Sequence, residues 1–256
     1  MTIIQAIIIA IVEGITEFLP ISSTGHMIMA STWMGIEENA FVKTFEISIQ
    51  LGAILAIVMI YYKRFFEGLD IYFKLSVAFL PTAIIGFLAY DYIKAYLFNP
   101  TVVAFSLILG GIILILIDKK ITSTESQTLN LSQVSYKNAF FIGVIQCVSM
   151  IPGVSRAAAT IIGGVFNGFD KKQATEFSFL LAVPTMFAAT SYDLLKTNIS
   201  FSSNEIFLLC IGLVIAFLTA WLAVKMFLKY LEHYGFTHFG YYRILIGLIF
   251  LLFIKF

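Results

Sequence analysis

Charge is scarce in this sequence: 16 Lys and Arg and 15 Asp and Glu serve 256 residues, leaving a formal net charge of +1. There is no basic face for a nucleic acid, and no nucleic-acid partner is expected. Cysteine is nearly absent. Cys147 and Cys210 stand far apart in apolar stretches with no metal-ligand or redox spacing, and are expected as two small buried thiols. Proline occurs five times and histidine three, so each occurrence carries information. The N-terminus lacks a basic flank, and its first apolar run leads into Glu13 rather than a small-residue cleavage site, so no cleavable signal is expected.

Apolar residues fill the space that charge leaves. They make up 60% of the chain, with 26 phenylalanines and a mean hydropathy of +0.95. Runs such as 51–62, 102–117 and 206–224 are too apolar for a soluble domain. Crossing a bilayer core of about 30 Å takes roughly 20 helical residues. Six segments meet that need: 43–62, 75–92, 101–118, 172–192, 205–224 and 241–256. Two other apolar regions are interrupted, 2–35 by Pro20 through Gly25 and 136–168 by Pro152 through Arg156. Neither arm of these regions spans alone, and the breaks hold groups that cannot face lipid. Two re-entrant helix-loop-helix hairpins, with their loops buried in protein or lining a cavity, satisfy the backbone. The expected fold is an all-α integral membrane protein, one domain over 1–256, with about six transmembrane helices and two re-entrant hairpins.

The order of these segments repeats. Residues 1–118 give a broken pair and three spans, and residues 136–256 give the same after a polar linker at 119–135. Thr44, Glu46 and Ser48 find counterparts in Ala174, Glu176 and Ser178, and the breaks align as Pro20 with Pro152 and Ser23 with Ser155. Three crossings per half place the second half upside down, an inverted-topology repeat with its site where the two breaks meet. Lys and Arg counts orient it. One side carries Lys63, Arg64, Lys74, Lys119, Lys120, Lys137, Lys171, Lys172, Lys225, Lys229 and Arg243, while the other carries Lys43, Lys94, Lys196 and Lys255. The first side is expected to be cytoplasmic, with both termini and the mouth of the first hairpin outside. His233 and His238 then fall in a cytoplasmic loop, solvated.

Glu13 and Glu17 are acids in a run where composition predicts none, and a carboxylate at bilayer depth marks a wet cavity or a partner. At i and i+4 they share one helix face, where their mutual repulsion suits a shared proton, a cation or an arginine between them. The plain alternative is a structural acid bonded to a facing helix. Ser22, Ser23, Thr24, Gly25 and His26 follow a proline and open a new helix. Ser23 or Thr24 would be its N-cap, and the free N–H groups there form an anion site. His26 lies three residues after Ser23, near enough for a nucleophile–base pair, and its imidazole could itself attack phosphorus. Ser155 and Arg156 repeat the pattern with a cation, the only Lys or Arg between Asn138 and Asp170. That guanidinium needs an anion, either a phosphate or the Glu13 and Glu17 pair. Glu46 and Glu176, near the ends of their spans, either support the hairpins or join the site. Acids, hydroxyls, an imidazole and a guanidinium at helix N-termini suit phosphoryl transfer on a phosphorylated lipid. A transporter or flippase for such a lipid would need the binding groups without the nucleophile.

The stretch Glu13-Gly-Ile-Thr-Glu-Phe-Leu-Pro-Ile-Ser-Ser-Thr-Gly-His26, with Pro152-Gly-Val-Ser-Arg156, resembles the two signature motifs of the bacterial undecaprenyl-diphosphatases, the bacitracin-resistance BacA/UppP family. The likeness extends through Lys43 to Glu46, Ile49 to Gly52, Gln146 and Cys147, and Glu176 to Pro184, and so across essentially the whole chain. It implies hydrolysis of a polyprenyl diphosphate carrier to its monophosphate for peptidoglycan synthesis, in the bacterial cytoplasmic membrane. It also implies a divalent cation, Mg²⁺ or Ca²⁺, for which Glu13 and Glu17 are the candidate ligands, and homodimer formation is compatible with it. Carried over by the resemblance, Ser23 or His26 would be the nucleophile. Glu17 would manage protons or metal with Glu13 in support, Arg156 would clamp the diphosphate, and Ser22, Thr24, Gly25 and Ser155 would bind its oxygens. The family continues its arginine motif with a second serine where this chain has Ala157. With Ser155, Arg156 and Thr160 kept, altered affinity rather than lost activity is expected.

Overall fold

A computed structural model of the chain describes residues 1–97, 99–120, 134–196 and 201–253. Among these residues there are ten α-helices and no strand: α1 (Ile3–Thr16), α2 (Ser23–Trp33), α3 (Ala40–Ile60), α4 (Asp70–Tyr96), α5 (Pro100–Lys120), α6 (Tyr136–Gln146), α7 (Arg156–Phe166), α8 (Lys171–Lys196), α9 (Ser203–Leu231) and α10 (Thr237–Phe253). Helix starts follow local sequence. Thr2 and Gln5 form a capping box on α1, Ser202 and Glu205 form one on α9, and the Asn39 side chain caps α3. Five helices, α3, α4, α5, α8 and α9, are long and apolar enough to cross a bilayer. The sixth expected span corresponds to α10, described to Phe253, with residues 254–256 outside the described residues. Most of the expected linker, 121–133, also lies outside them; Lys119 and Lys120 extend α5, and Ser135 caps α6.

The two hairpins form as the sequence requires. α1 has 14 residues and α2 has 11, lengths of about 21 and 17 Å at 1.5 Å per residue, so neither arm crosses alone. α6 has 11 residues, runs into a single 3-10 turn at Cys147–Met150, and is followed after the break by the 11 residues of α7. Ser22 (φ 72°) and Ser155 (φ 77°) are the two non-glycine residues with positive φ among the described residues. Each caps the helix that follows, its Oγ accepting from the N–H of Gly25 (3.3 Å) or Ala158 (3.2 Å). This corrects the expected alignment by one place. The N-cap is Ser22, not Ser23 or Thr24, so Ser155 corresponds to Ser22 and Arg156 to Ser23. Nine residues before each cap stand Glu13 and Gln146, both fully buried.

Packing brings the breaks together. α1 lies on α9 and α6 on α4, while α3 meets α8 and α5 meets α10. The first two contacts are close enough to require glycine: a Cβ on Gly14 would run into Thr219 Oγ1 and the Ala216 carbonyl, and one on Gly143 into the Ala78 backbone. Ion pairs join helix ends of opposite direction. Arg64, just after α3, binds Glu176 in the first turns of α8 at 2.6 Å, and Asp118 near the end of α5 binds Lys171 at the start of α8 at 2.7 Å. Asp118 also accepts from the N–H of Thr237 at the start of α10 (3.0 Å). Phe41 and Phe201 meet at 6.3 Å where α3 and α9 begin. The cysteines do not match expectation: both are free, but Cys147 is half-buried and Cys210 lies exposed on α9. In an apolar span a thiol is as compatible with the lipid-facing side as with the core.

Candidate active site between the two helix breaks

Glu17 follows the last turn of α1 and organises the centre. Its Oε1 accepts from Arg156 Nη2 at 3.2 Å, and its Oε2 accepts a short hydrogen bond from the Ser23 hydroxyl. Arg156 is the first residue of α7. Its Nη1 donates to the Ser178 carbonyl (3.0 Å) and hydroxyl (3.4 Å) on α8, and Thr160 holds that hydroxyl at 2.6 Å. The Phe18 ring lies 5.4 Å from the guanidinium carbon and meets Phe179 edge-on at 5.4 Å, which fixes the first break against α8. Glu17, Ser23, Ser178 and Thr160 are all buried. A carboxylate, a hydroxyl and a guanidinium from opposite halves of the chain therefore share one buried network.

Three buried polar atoms here lack an ordinary hydrogen-bond partner: both oxygens of Glu13, which have the Glu17 carboxyl beside them rather than a donor, and Nε of Arg156. Buried groups are ordinarily satisfied, so such orphans point to a ligand. The open carboxylate suits a proton or a hard cation, and the open N–H suits an anionic oxygen. Among the described residues no group of three or more His, Cys, Asp or Glu side chains is arranged to hold a metal ion. A Mg²⁺-like ion nevertheless needs only one or two carboxylates when substrate phosphates complete its shell. The residues fit that mode, with Glu13 supplying the free oxygens, because Glu17 already serves Ser23 and Arg156.

His26 turns elsewhere. Its Nδ1 lies 2.7 Å from the Ser22 carbonyl, which can only accept, so Nδ1 carries the proton and Nε2 accepts from the Tyr242 hydroxyl at 2.8 Å. The two rings are stacked, 5.6 Å apart with 4° between their planes. The expected Ser23–His26 contact is thus absent, and the carboxylate of Glu17 is the group that the Ser23 hydroxyl meets. Ser22 and Ser155 spend their hydroxyls on caps, while Thr24 is half-buried in the first turn of α2 and Gly25 lets α2 approach Val103 of α5. Glu46 leaves Oε1 buried without a partner. Glu176 instead binds Arg64, which also binds Glu67 at 2.9 Å, so the pair ties the end of α3 to α8 rather than to either hairpin. His233 and His238 are exposed, as expected, with His238 accepting or donating at the Tyr230 hydroxyl, 2.6 Å away.

Sequence reasoning missed Ser178, Tyr242 and Arg243. Ser178 sat in the stretch matched between halves, which was a usable signal. Arg243 was counted among the cytoplasmic surface cations, and the structure corrects this: it is fully buried and binds carbonyls of both breaks, Pro20 at 3.0 Å and Val154 at 3.0 Å.

Fold and site together define a polytopic helical membrane protein whose buried polar centre is divided between two re-entrant breaks. The chain belongs to the family described as bacitracin resistance protein BacA, whose profile matches residues 6–249. It is similar to an undecaprenyl-diphosphatase of Wolinella succinogenes, 50% identical over 99% of both chains. It is equally close to undecaprenyl-diphosphatases of Bdellovibrio bacteriovorus, 51% identical over 98% of this chain and 96% of that one, and of Aquifex aeolicus, 51% identical over the whole of both.

Proposed function

We propose that this protein is an undecaprenyl-diphosphate phosphatase of the bacterial cytoplasmic membrane, hydrolysing the C55 diphosphate carrier to its monophosphate and phosphate. That reaction recycles the carrier for peptidoglycan synthesis and accounts for resistance to bacitracin. The observation that carries the reading is the buried Ser23–Glu17–Arg156 network, a hydroxyl with its base and a guanidinium at one carboxylate. Ser23 Oγ attacks the terminal phosphorus as its proton passes to Glu17 Oε2. The bond from that phosphorus to the bridging oxygen breaks, and the lipid monophosphate leaves. Water then attacks the phosphoserine phosphorus, the bond to Ser23 Oγ breaks as that oxygen recovers the proton held on Glu17, and phosphate leaves with the protons of the water. Arg156 balances charge on the non-bridging oxygens, with Nε free for one of them. A divalent cation on Glu13 would add charge neutralisation at the diphosphate. A carrier of phosphorylated lipids would need no hydroxyl held against a base, so the Ser23–Glu17 bond favours hydrolysis.

The two halves are further read as an inverted repeat, supported by the paired positive-φ serines and the antiparallel helix ends joined by Arg64–Glu176. Removing the buried Arg243 and Lys74 from the cation count leaves nine against four, which supports a site opening outside with both termini. Outside-only thiol labelling of a cysteine at Ser203 tests this: labelling is expected, and protection reverses the orientation. The function is tested by phosphate release from a C55 or shorter polyprenyl diphosphate by the purified protein, with and without EDTA. Release by wild type that is lost in Glu17→Ala is expected. No release by wild type would overturn the reading.

A further inference from the structure

Arg243 is a buried cation without a carboxylate. It is the largest fully buried side chain among the described residues. All five of its hydrogen bonds go to backbone carbonyls: Nη1 to Pro20 (3.0 Å) and Val154 (3.0 Å), Nη2 to Gly153 (2.9 Å) and Ser106 (3.1 Å), and Nε to Leu107 (3.4 Å). A buried charge held only by neutral dipoles is costly and persists where it serves a purpose. Here one nitrogen, Nη1, bridges the first break to the second, binding Pro20 two residues before the Ser22 cap and Val154 one residue before the Ser155 cap. In a trans peptide the N–H points opposite to the C=O, so this grip also turns the N–H groups of Ile21, Val154 and Ser155 away from Arg243. Those of Ile21 and Val154 close tight turns onto Leu19 (2.8 Å) and Ile151 (3.1 Å). α5 is cut to admit the side chain: a Cβ on Gly110 would run into the guanidinium itself.

We propose that Arg243 is a positioning residue: it clamps the two helix breaks to each other and so sets the separation between Glu17 and Ser23 on the first and Arg156 on the second. The effect on catalysis rests on the diphosphatase reading; the clamp itself does not. Lysine cannot replace it, since one ammonium cannot bridge carbonyls on three segments in the planar fork that arginine provides.

The test uses full-length protein in nanodiscs with Arg243→Lys, Arg243→Ala and Gly110→Ala, the last disturbing the guanidinium from the opposite helix. Misplacement of reacting groups by about 1 Å lowers rates about a hundredfold. A fall in kcat of that order is therefore expected for folded, monodisperse Arg243 variants, with a smaller change in KM and a change in the same direction for Gly110→Ala. Added guanidinium ion is expected to restore part of the Arg243→Ala rate. Spin labels at Trp33 and Phe166, the exposed outer ends of α2 and α7, read the clamp without catalysis in a background where Cys147 and Cys210 are serine. Their distance distribution is expected to broaden in Arg243→Ala. Wild-type kcat and KM in folded variants of lowered thermal stability would overturn the positioning role, and an unchanged distance distribution would overturn the clamp. Loss of phosphate release in wild type would count against the diphosphatase reading while leaving the distance arm decisive.

Discussion

Arg156→Lys keeps the charge at the centre and removes the geometry. The guanidinium spans two partners at once, Glu17 Oε1 at 3.2 Å through Nη2 and the Ser178 carbonyl at 3.0 Å through Nη1. A lysine nitrogen satisfies one of these and leaves the other, and it offers no counterpart to the unpartnered Nε. One lost hydrogen bond to a charged group amounts to about 2 kcal/mol, which is about thirtyfold in rate. Arg156→Ala goes further, because it removes the cation that balances charge on the reacting oxygens; losing one such donor costs about 2.7–4 kcal/mol of transition-state stabilisation, and a fall of at least about a hundredfold follows. Initial rates of phosphate release from a polyprenyl diphosphate, measured on protein that elutes as a single species, read both. A lysine variant as active as wild type would refute the argument, since it would mean that charge alone, and not the two-partner geometry, does the work.

Other outcomes follow from neighbouring residues. Ser23→Ala removes the hydroxyl held by Glu17 and is expected to lower kcat by about a hundredfold or more; an unchanged rate would assign the attack to water or to His26. If a divalent cation sits on Glu13, Mg²⁺ or Ca²⁺ added without substrate is expected to raise the Tm of wild type and not that of Glu13→Gln; a shift kept by the variant would place the cation elsewhere. Gly14→Ala forces a methyl into Thr219 and the Ala216 carbonyl; a loss of about 1–3 kcal/mol is expected from overpacking, seen as a lower Tm, and an unaltered Tm would mean that α1 and α9 separate freely.

Much of this site was legible because its chemistry is out of place in its surroundings. Glu13, Glu17 and Arg156 interrupt apolar runs, and charges at that depth mark a wet cavity or a partner. The breaks were legible from proline and glycine. What the sequence could not supply was set by tertiary contacts. Ser22, Ser23 and Thr24 all satisfy the preference for a capping hydroxyl, and only the positive φ at Ser22 selects among them. His26 reads as a partner for Ser23 by spacing, yet Tyr242, 216 residues away, takes its ring nitrogen. Arg243 is the third residue of the expected span 241–256 and the seventh of α10, near enough to the polar flank to look like a snorkelling cation. Its burial depends on carbonyls supplied by α5 and both breaks, which no local pattern announces.

The central claim is that Glu17 and Arg156, 139 residues apart in the chain, act as one unit on one diphosphate. A double-mutant cycle on the rate of phosphate release tests it directly, comparing wild type, Glu17→Ala, Arg156→Ala and the double variant. Residues acting as a unit lose little more together than the worse one loses alone. The double variant is therefore predicted to fall no further than the more damaged single variant. Losses that multiply, each variant lowering the rate independently of the other, would contradict a site shared between the two halves.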